Sequence, residues 1–384
     1  MKIALFDYIV TPENAIGKCD LAILGALCEK HEFTVFSTRF ENPRPDRIGW
    51  VRVPAPQRPL ALLFLVFHML APVWYAWHCL RYRMRFDVVQ VIESNLLFGD
   101  IAYSHFCHRI FLERHWKGIS AGGWRGALRW LDHRARALLE PWVYRRVTWI
   151  VAPSRGLRTE LTSAYPLASG KIQVLANPVD LDRLRSPAEF DRCAFRAKLG
   201  WTAEDIVLAF VALGHYERKG LPLLLEALGA ARDSRLKAII VGGSRSGLAA
   251  YRERANKSGL NGNVEFVQTQ KDVRPYLWAA DALALPSHYE VFPLVALEAA
   301  AAGLPLLVTQ LNGVEEFLRD GENGLLMERS TPGVAQCIAR FARMSVEARR
   351  SMGRRAQSDV KCYGIPEFVA SWSRLYAEAA SHAG

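Results

Sequence analysis

The sequence predicts an α/β protein made of two doubly wound domains in tandem, and three observations carry that expectation. Its 384 residues exceed the length over which one hydrophobic core keeps growing, so two domains of roughly 180 residues each are expected. A hydrophobic content of 51% with 23% charged residues supplies a large core. Short apolar runs alternate with helix-length segments along the whole chain, the order of a parallel sheet covered on both faces.

In the first half, residues 2–10 form an apolar run ending in Thr11-Pro12, residues 21–29 have helical spacing, and residues 33–37 form a second strand. A strand-loop-helix-strand opening of this kind collects ligands at the carboxyl ends of its strands. Gly17, in the first loop, makes an ordinary turn or lets a phosphate approach the backbone. Residues 86–92 and 101–104 are further buried-strand patterns, the second leading into His105-Phe106-Cys107-His108. His105 stands at a strand's carboxyl end, on the ligand face, and is a candidate catalytic or sugar-contacting group. Residues 149–153 and 172–175 add two strands. The polar, proline-bearing stretch from Asp180 to Pro187 marks the interdomain boundary. Domains are therefore expected at 1–180 and 181–364, with a terminal amphipathic helix from 365 to 384. Asp180-Leu181-Asp182 looks like a metal-binding acid pair, but it sits in the linker, so it reads as loop acids and no protein-held metal site is expected.

Two segments of the first half raise the question of a surface partner. Residues 60–80 carry no formal charge and are long enough to cross about 30 Å of hydrocarbon. His68, His78, Pro72 and the strand that follows argue against a span. Arg81, Arg83 and Arg85, with Trp74, Tyr75 and Trp77, give this segment an aromatic and basic end. Two readings stand: a helix buried in the domain core, or a helix lying in the interface of an anionic membrane. Residues 108–146 interleave Trp116, Trp124, Trp130 and Trp142 with arginines. They read as a helix pair with an aromatic core stripe, or as a patch facing a membrane or an acceptor phosphate. Forty-nine basic against 38 acidic residues leave a net charge of +11, which favours nucleic acid, acidic lipid or a phosphorylated ligand. The seven cysteines are scattered and lack CxxC spacing. They read as reduced cytosolic thiols. Residues 1–10 lack a signal-peptide layout, so a cytoplasmic location is expected, peripheral at the inner membrane face if the 60–80 segment is interfacial.

The second half opens on a strand at 206–212, the sequence LGHYERKG and a helix at 221–230. Arg218, Lys219 and Gly220 place two cations beside the positive end of a helix dipole, an arrangement suited to phosphate. Strands follow at 238–243, closed by Gly242-Gly243, and at 264–267, ending in Gln268-Thr269. Next comes ALPSHYEVFPLVALEAAAAG, residues 284–303: a strand end, a polar turn, and a helix opened by Pro293 and closed by Gly303. Glu290 lies on the loop and Glu298 in the second helical turn. Eight residues at helical rise cap their axial separation at about 12 Å. That exceeds the roughly 5 to 9.5 Å between the paired acids of a glycosidase. It suits two acids gripping separate hydroxyl-bearing parts of one elongated ligand.

Taken in order, these motifs resemble the retaining GT-B glycosyltransferases of family 4. The likeness covers nearly the whole chain and is strongest over residues 208–327. Glu290 and Glu298 look like the family's EX7E pair, Arg218 and Lys219 its basic motif, residues 177–180 its NxVD, and residues 323–326 its NGLL. The resemblance implies two Rossmann-like domains with a cleft between them and a final helix crossing back to the first. It implies that Glu290 holds the donor sugar, Glu298 the ribose, and Arg218 with Lys219 the diphosphate. Phe292, Leu294 and Val295 of the same motif, with Gly243 and Gln268, complete the implied donor contacts. His105 would touch the transferred sugar, and the Gly17 loop the phosphates or the acceptor. The implied reaction moves a hexose, with retention, from a UDP- or GDP-sugar to a saccharide or lipid-linked acceptor during surface polysaccharide or glycolipid assembly. It needs no tightly bound cofactor and no nucleic acid. The chain departs from the pattern at Pro293, where the family usually has glycine, and at Ile16-Gly17, where it has Gly-Gly. Two other functions are compatible with the sequence: a nucleotide-sugar epimerase on the same fold, and a basic nucleic-acid binder using the Trp/Arg run around Trp124 and Arg125.

Overall fold

The computed structural model describes residues 1–118 and 123–382, and the side chains of Trp124 and Arg125 lie outside the described part. The chain divides into Met1–Pro178 with Ile365–Gly384, and Val179–Gly364. The second unit begins two positions before the expected domain start at 181. Val179 is already bridged to Gly364, its amide donating to the Tyr363 carbonyl at 2.8 Å.

Nine strands build the first unit among the described residues: β1 (Lys2–Phe6), β2 (Ile9–Val10), β3 (Glu32–Ser37), β4 (Arg39–Phe40), β5 (Ile48–Arg52), β6 (Val88–Ile92), β7 (Ile101–Tyr103), β8 (Trp149–Ala152) and β9 (Ile172–Val174). Seven of them form a parallel sheet in the order β5-β3-β1-β6-β7-β8-β9, with β2 and β4 paired separately. The apolar runs of the central strands β1, β6 and β7 are buried on both faces, as helices on each side require. The order reverses between β1 and β6, which opens a crevice at their carboxyl ends. Helix α1 (Ala15–Leu27) starts at Asn14, whose side chain accepts the Ile16 amide at 3.1 Å. The terminal helix, Ile365–His382, packs beside it. Trp372, Leu375 and Tyr376 are buried with Ile23, Leu24 and Leu27, and the Tyr376 hydroxyl donates to Gln90 Oε1 at 2.5 Å.

Helix α2 (Leu60–Tyr82) is the segment whose placement the sequence left open. Leu63, Phe64, Phe67 and Ala71 are buried, and Tyr75 is ringed by Phe6, Phe36, Phe86 and Phe98. The opposite face is bare: Leu65 is 56% exposed, Met69 64%, Val73 61% and Leu80 78%. The helix is thus neither wholly core nor free of the domain. It is docked by one side, with an apolar side outward.

The second unit repeats the plan with β10 (Ile206–Val211), β11 (Leu236–Val241), β12 (Val264–Val267), β13 (Ala282–Leu285), β14 (Leu306–Val308) and β15 (Gly324–Leu326). They run parallel in the order β12-β11-β10-β13-β14-β15 among the described residues, reversing between β10 and β13.

Candidate active site

The reversal between β10 and β13 brings two loops together. The segment after β10 is not an open loop: Tyr216–Lys219 is a helical turn entered through His215 at φ 56° and left through Gly220 at φ 79°. The segment after β13 runs from Pro286 to Pro293. Gly220 is needed twice over, for its left-handed backbone and because a Cβ there would overlap the Pro286 carbonyl. Gly220→Ala is therefore expected to cost about 3 kcal/mol or more, read as a fall in the midpoint of thermal unfolding of several degrees. An unchanged midpoint would contradict this packing.

The two loops are tied in both directions. Arg218 Nη1 donates to the Tyr289 carbonyl at 2.6 Å, and the His288 amide donates to the Arg218 carbonyl at 2.7 Å. Lys219 Nζ donates to Glu290 Oε1 at 2.8 Å, Arg218 Nη1 lies 3.6 Å from Glu290 Oε2, and Ser287 Oγ donates to Glu290 at 3.4 Å. Thr309 Oγ1 holds the Ser287 carbonyl at 2.6 Å. Burial alone would raise the Glu290 carboxyl, but the charges of Lys219 and Arg218, with the hydrogen bonds from Lys219 and Ser287, outweigh it. The group is held below the usual carboxylate range. At the Glu290 carboxylate itself two cations face one anion, while Glu217 of the same helical turn accepts from the Tyr251 hydroxyl at 2.9 Å. Such a site stabilises an anionic leaving group while a carboxylate accepts hydroxyl donors nearby.

The other predicted donor residues lie in the same unit. Helix Leu294–Ala301 begins one residue later than expected. Pro293 is its N-cap rather than its first residue, and no side chain caps the first turn. A proline before the first helical residue removes no helical hydrogen bond, so the departure from glycine is accommodated structurally. Leu294, Val295 and Glu298 are partly exposed on this helix. Phe292 has a buried ring over Gly313, Phe317 and Tyr363, so its side chain is core rather than ligand-facing. Gly243, at φ 86°, follows β11, but its amide donates to Thr269 Oγ1 at 2.9 Å and the Tyr216 hydroxyl fills the space of a Cβ. Its conformation is required by packing. Gln268 is exposed just after β12. Asp180 caps a short helix by accepting the Arg183 amide at 3.0 Å.

Two predicted residues belong to the first domain. Gly17 is not in a loop: it lies in the first turn of α1, where a Cβ would stand 2.6 Å from the Thr11 carbonyl oxygen. Its smallness serves the fit of helix to chain, and its backbone is covered. His105 follows β7, its ring 4.1 Å from that of Tyr103, and burial pushes its pKa down to about 4, with Glu93 opposing. Around it stands a polar cluster that the sequence reading missed. Glu93, at φ 50°, lies 3.4 Å from His108 Nε2 and 3.7 Å from Arg136. His108 Nδ1 meets His133 Nδ1 at 2.8 Å, and its amide donates to Glu140 at 2.8 Å. Burial opposes ionisation of Glu93, yet the hydrogen bond from His108 and the charges of His108, Arg136 and His105 hold it at about 2. Asp7, just past β1, is pushed up to about 7, chiefly by burial and further by Glu93, against the Tyr8 amide. The available signal was position: Asp7-Tyr8 and Glu93-Ser94 are polar pairs directly after buried strands.

Comparison with known proteins agrees with this geometry. Residues 191–359 match the family described as glycosyl transferases group 1, and residues 21–183 match glycosyltransferase family 4. The D-inositol 3-phosphate glycosyltransferase of Streptomyces avermitilis is 31% identical over 258 residues, which are 64% of this chain and 55% of that protein. That of Rhodococcus jostii is 36% identical over 205 residues, 50% and 44% of the two chains. The chain thus spans about half the length of the curated relatives it matches. WaaG, a glycosyltransferase involved in lipopolysaccharide biosynthesis, superposes with a TM-score of 0.77 at 19% identity, over 96% of this chain and 99% of its own. Sucrose-phosphate synthase from Thermosynechococcus elongatus gives 0.78 at 18% identity over 99% of each chain. Anabaena HepE in complex with UDP-glucose gives 0.74 at 18% identity, over 98% of this chain and all of its own. The fold is GT-B. With one family match on each domain, in the family's order, the chain belongs to the family 4 glycosyltransferases.

Proposed function

We propose that this protein transfers a hexose from a nucleoside diphosphate sugar to a saccharide or lipid-linked acceptor in the assembly of a surface polysaccharide or glycolipid, with retention of the anomeric configuration. The observation that carries this reading is the cluster of the partly buried Arg218 and Lys219 with the buried Glu290. The cations stabilise the departing diphosphate, and the carboxylate accepts from the sugar hydroxyls, where its charge also favours the oxocarbenium-like centre. Glu298, one turn further along its helix, is assigned to the ribose. UDP-glucose is the first donor to test, because HepE, of the same fold, binds it. The test is a panel of UDP- and GDP-hexoses with candidate saccharide acceptors, read by released nucleoside diphosphate and by the anomeric proton of the product. Product with the donor's anomeric configuration is expected. An inverted product contradicts retention, and a new sugar epimer formed from donor alone makes the protein an epimerase.

The reading extends to the inner face of the cell membrane. The outward side of α2 exposes Leu65, Met69, Val73 and Leu80. Arg81, Arg83 and Arg85 are exposed at its end, a combination that suits an anionic lipid interface. Co-sedimentation is expected with vesicles containing anionic lipid and not with neutral ones. Neutralising all three arginines is expected to weaken binding about 100-fold, at about 1 kcal/mol for each basic residue. Equal pelleting with both vesicle types, unchanged in the variant, contradicts this assignment.

A further inference from the structure

We propose that Thr309 is a positioning residue for the transfer reaction, setting the Glu290 carboxylate through Ser287. The inference rests on the transferase reading above and adds the group that ties its sugar-holding acid to the sheet. Strands β13 and β14 pair in parallel as far as Leu285 and Val308. One residue past that last rung, the Thr309 side chain continues the connection: its hydroxyl donates to the Ser287 carbonyl at 2.6 Å. Ser287 is 1% exposed and Thr309 4%, so the bond is shut off from water, and a carbonyl buried there needs a protein donor.

Ser287 passes that anchorage on. Its Oγ donates to Glu290 Oε1 at 3.4 Å, from within the same loop. The other partners of the carboxylate, Lys219 Nζ at 2.8 Å and Arg218 Nη1 at 3.6 Å, come from the facing loop. Those two cations end long, rotatable stems that can follow a carboxylate as it shifts. Ser287 has one side-chain torsion and a backbone bonded to the residue after β14, so it marks one place for the acid. Glu290 serves the transition state, where a misplacement of about 1 Å can cost about 100-fold. Freed from Thr309, the loop keeps its two ion pairs but loses the reference that aligns them with the sheet.

Steady-state kinetics on the intact chain across pH, with a nucleotide sugar that the wild type consumes, tests this. Thr309→Val keeps the branched shape and removes the donor. It is expected to lower kcat about tenfold, with KM for the sugar donor and Kd for UDP within about threefold of wild type. The rate needs Glu290 ionised. Burial opposes that, and the charges of Lys219 and Arg218 with the bonds from Lys219 and Ser287 hold the group low. Loosening the Ser287 bond raises it, so the acid limb of the rate is expected at higher pH in the variant. Thr309→Ser restores the hydroxyl and is expected within about twofold of wild type in kcat. Ser287→Ala should repeat the loss, with Thr309→Val adding less than about twofold to it. The proposal is overturned by a Thr309→Val enzyme with wild-type kcat and acid limb, by a loss confined to KM and UDP affinity, by Thr309→Ser as slow as Thr309→Val, or by losses that add in the double variant. If Thr309→Val does not fold, Thr309→Cys, whose thiol is a weak donor, replaces it under the same criteria. Failure of the transferase reading shows separately, as no consumption of any nucleotide sugar by the wild-type protein.

Discussion

Lys219→Ala is expected to lower turnover about a thousandfold, the upper range for removing one preorganised charge from a transition state. The effect should fall on kcat far more than on the binding of free UDP, because the negative charge on the diphosphate grows as the glycosidic bond breaks. Arg218 remains in the variant, so ground-state affinity is expected to drop only about tenfold. The same substitution changes the response to pH. Glu290 in the folded protein lies below its ordinary value of 4.5, against the opposing effect of burial and because of Lys219 and Arg218. A depressed carboxylate stabilises the fold above the ordinary value, and that contribution is lost as pH falls through the lower, folded value. Without Lys219 the burial effect is less opposed, the folded value rises, and the acid limb of both stability and activity moves to higher pH. A pH series of thermal melts and rates on the two proteins checks the direction. An acid limb that stays in place would show that Glu290 does not depend on Lys219.

Glu290→Gln is the second large change, expected to reduce turnover at least about 100-fold. Glutamine preserves size and an acceptor oxygen for Lys219 Nζ, so the loop should keep its shape. It removes the charge that complements an oxocarbenium-like sugar and leaves two partly buried cations, 16% and 17% exposed, with no carboxylate between them. The losses in Lys219→Ala and Glu290→Gln should not add in the double variant, since each substitution already breaks the same 2.8 Å pair.

The fold was legible because parallel strands buried on both faces are written as continuous apolar runs, and Ile3 to Phe6 and Ile206 to Phe210 are such runs. Strand β5 was missed because it is a sheet edge with one buried residue, Ile48, beside exposed Gly49, Trp50 and Arg52. Arg218, Lys219 and Glu290 were found through motif order. Their direct ion pair was not, because nothing local relates residues 71 positions apart. The sequence reading had assigned the cations to the diphosphate and the acid to the sugar as separate duties, and the structure joins them in one network. Asp7 and Glu93 went unread for a related reason. Only the pairing of β1 with β6 brings them together, and one carboxyl near neutrality beside another held at about 2 arises from that proximity and from burial. Gly17 and Gly243 illustrate the opposite error: glycines that resemble phosphate-loop positions are here required by close packing against Thr11 and Tyr216.

Single-turnover release of nucleoside diphosphate from a saturating sugar donor, measured in the wild type and in Glu290→Gln with an acceptor present, tests the donor-site assignment most directly. The predicted result is a release rate at least about 100-fold lower in the variant, with the Kd for free UDP within about threefold of wild type, because Glu290 serves the sugar and not the nucleotide. Release at the wild-type rate by Glu290→Gln would contradict it.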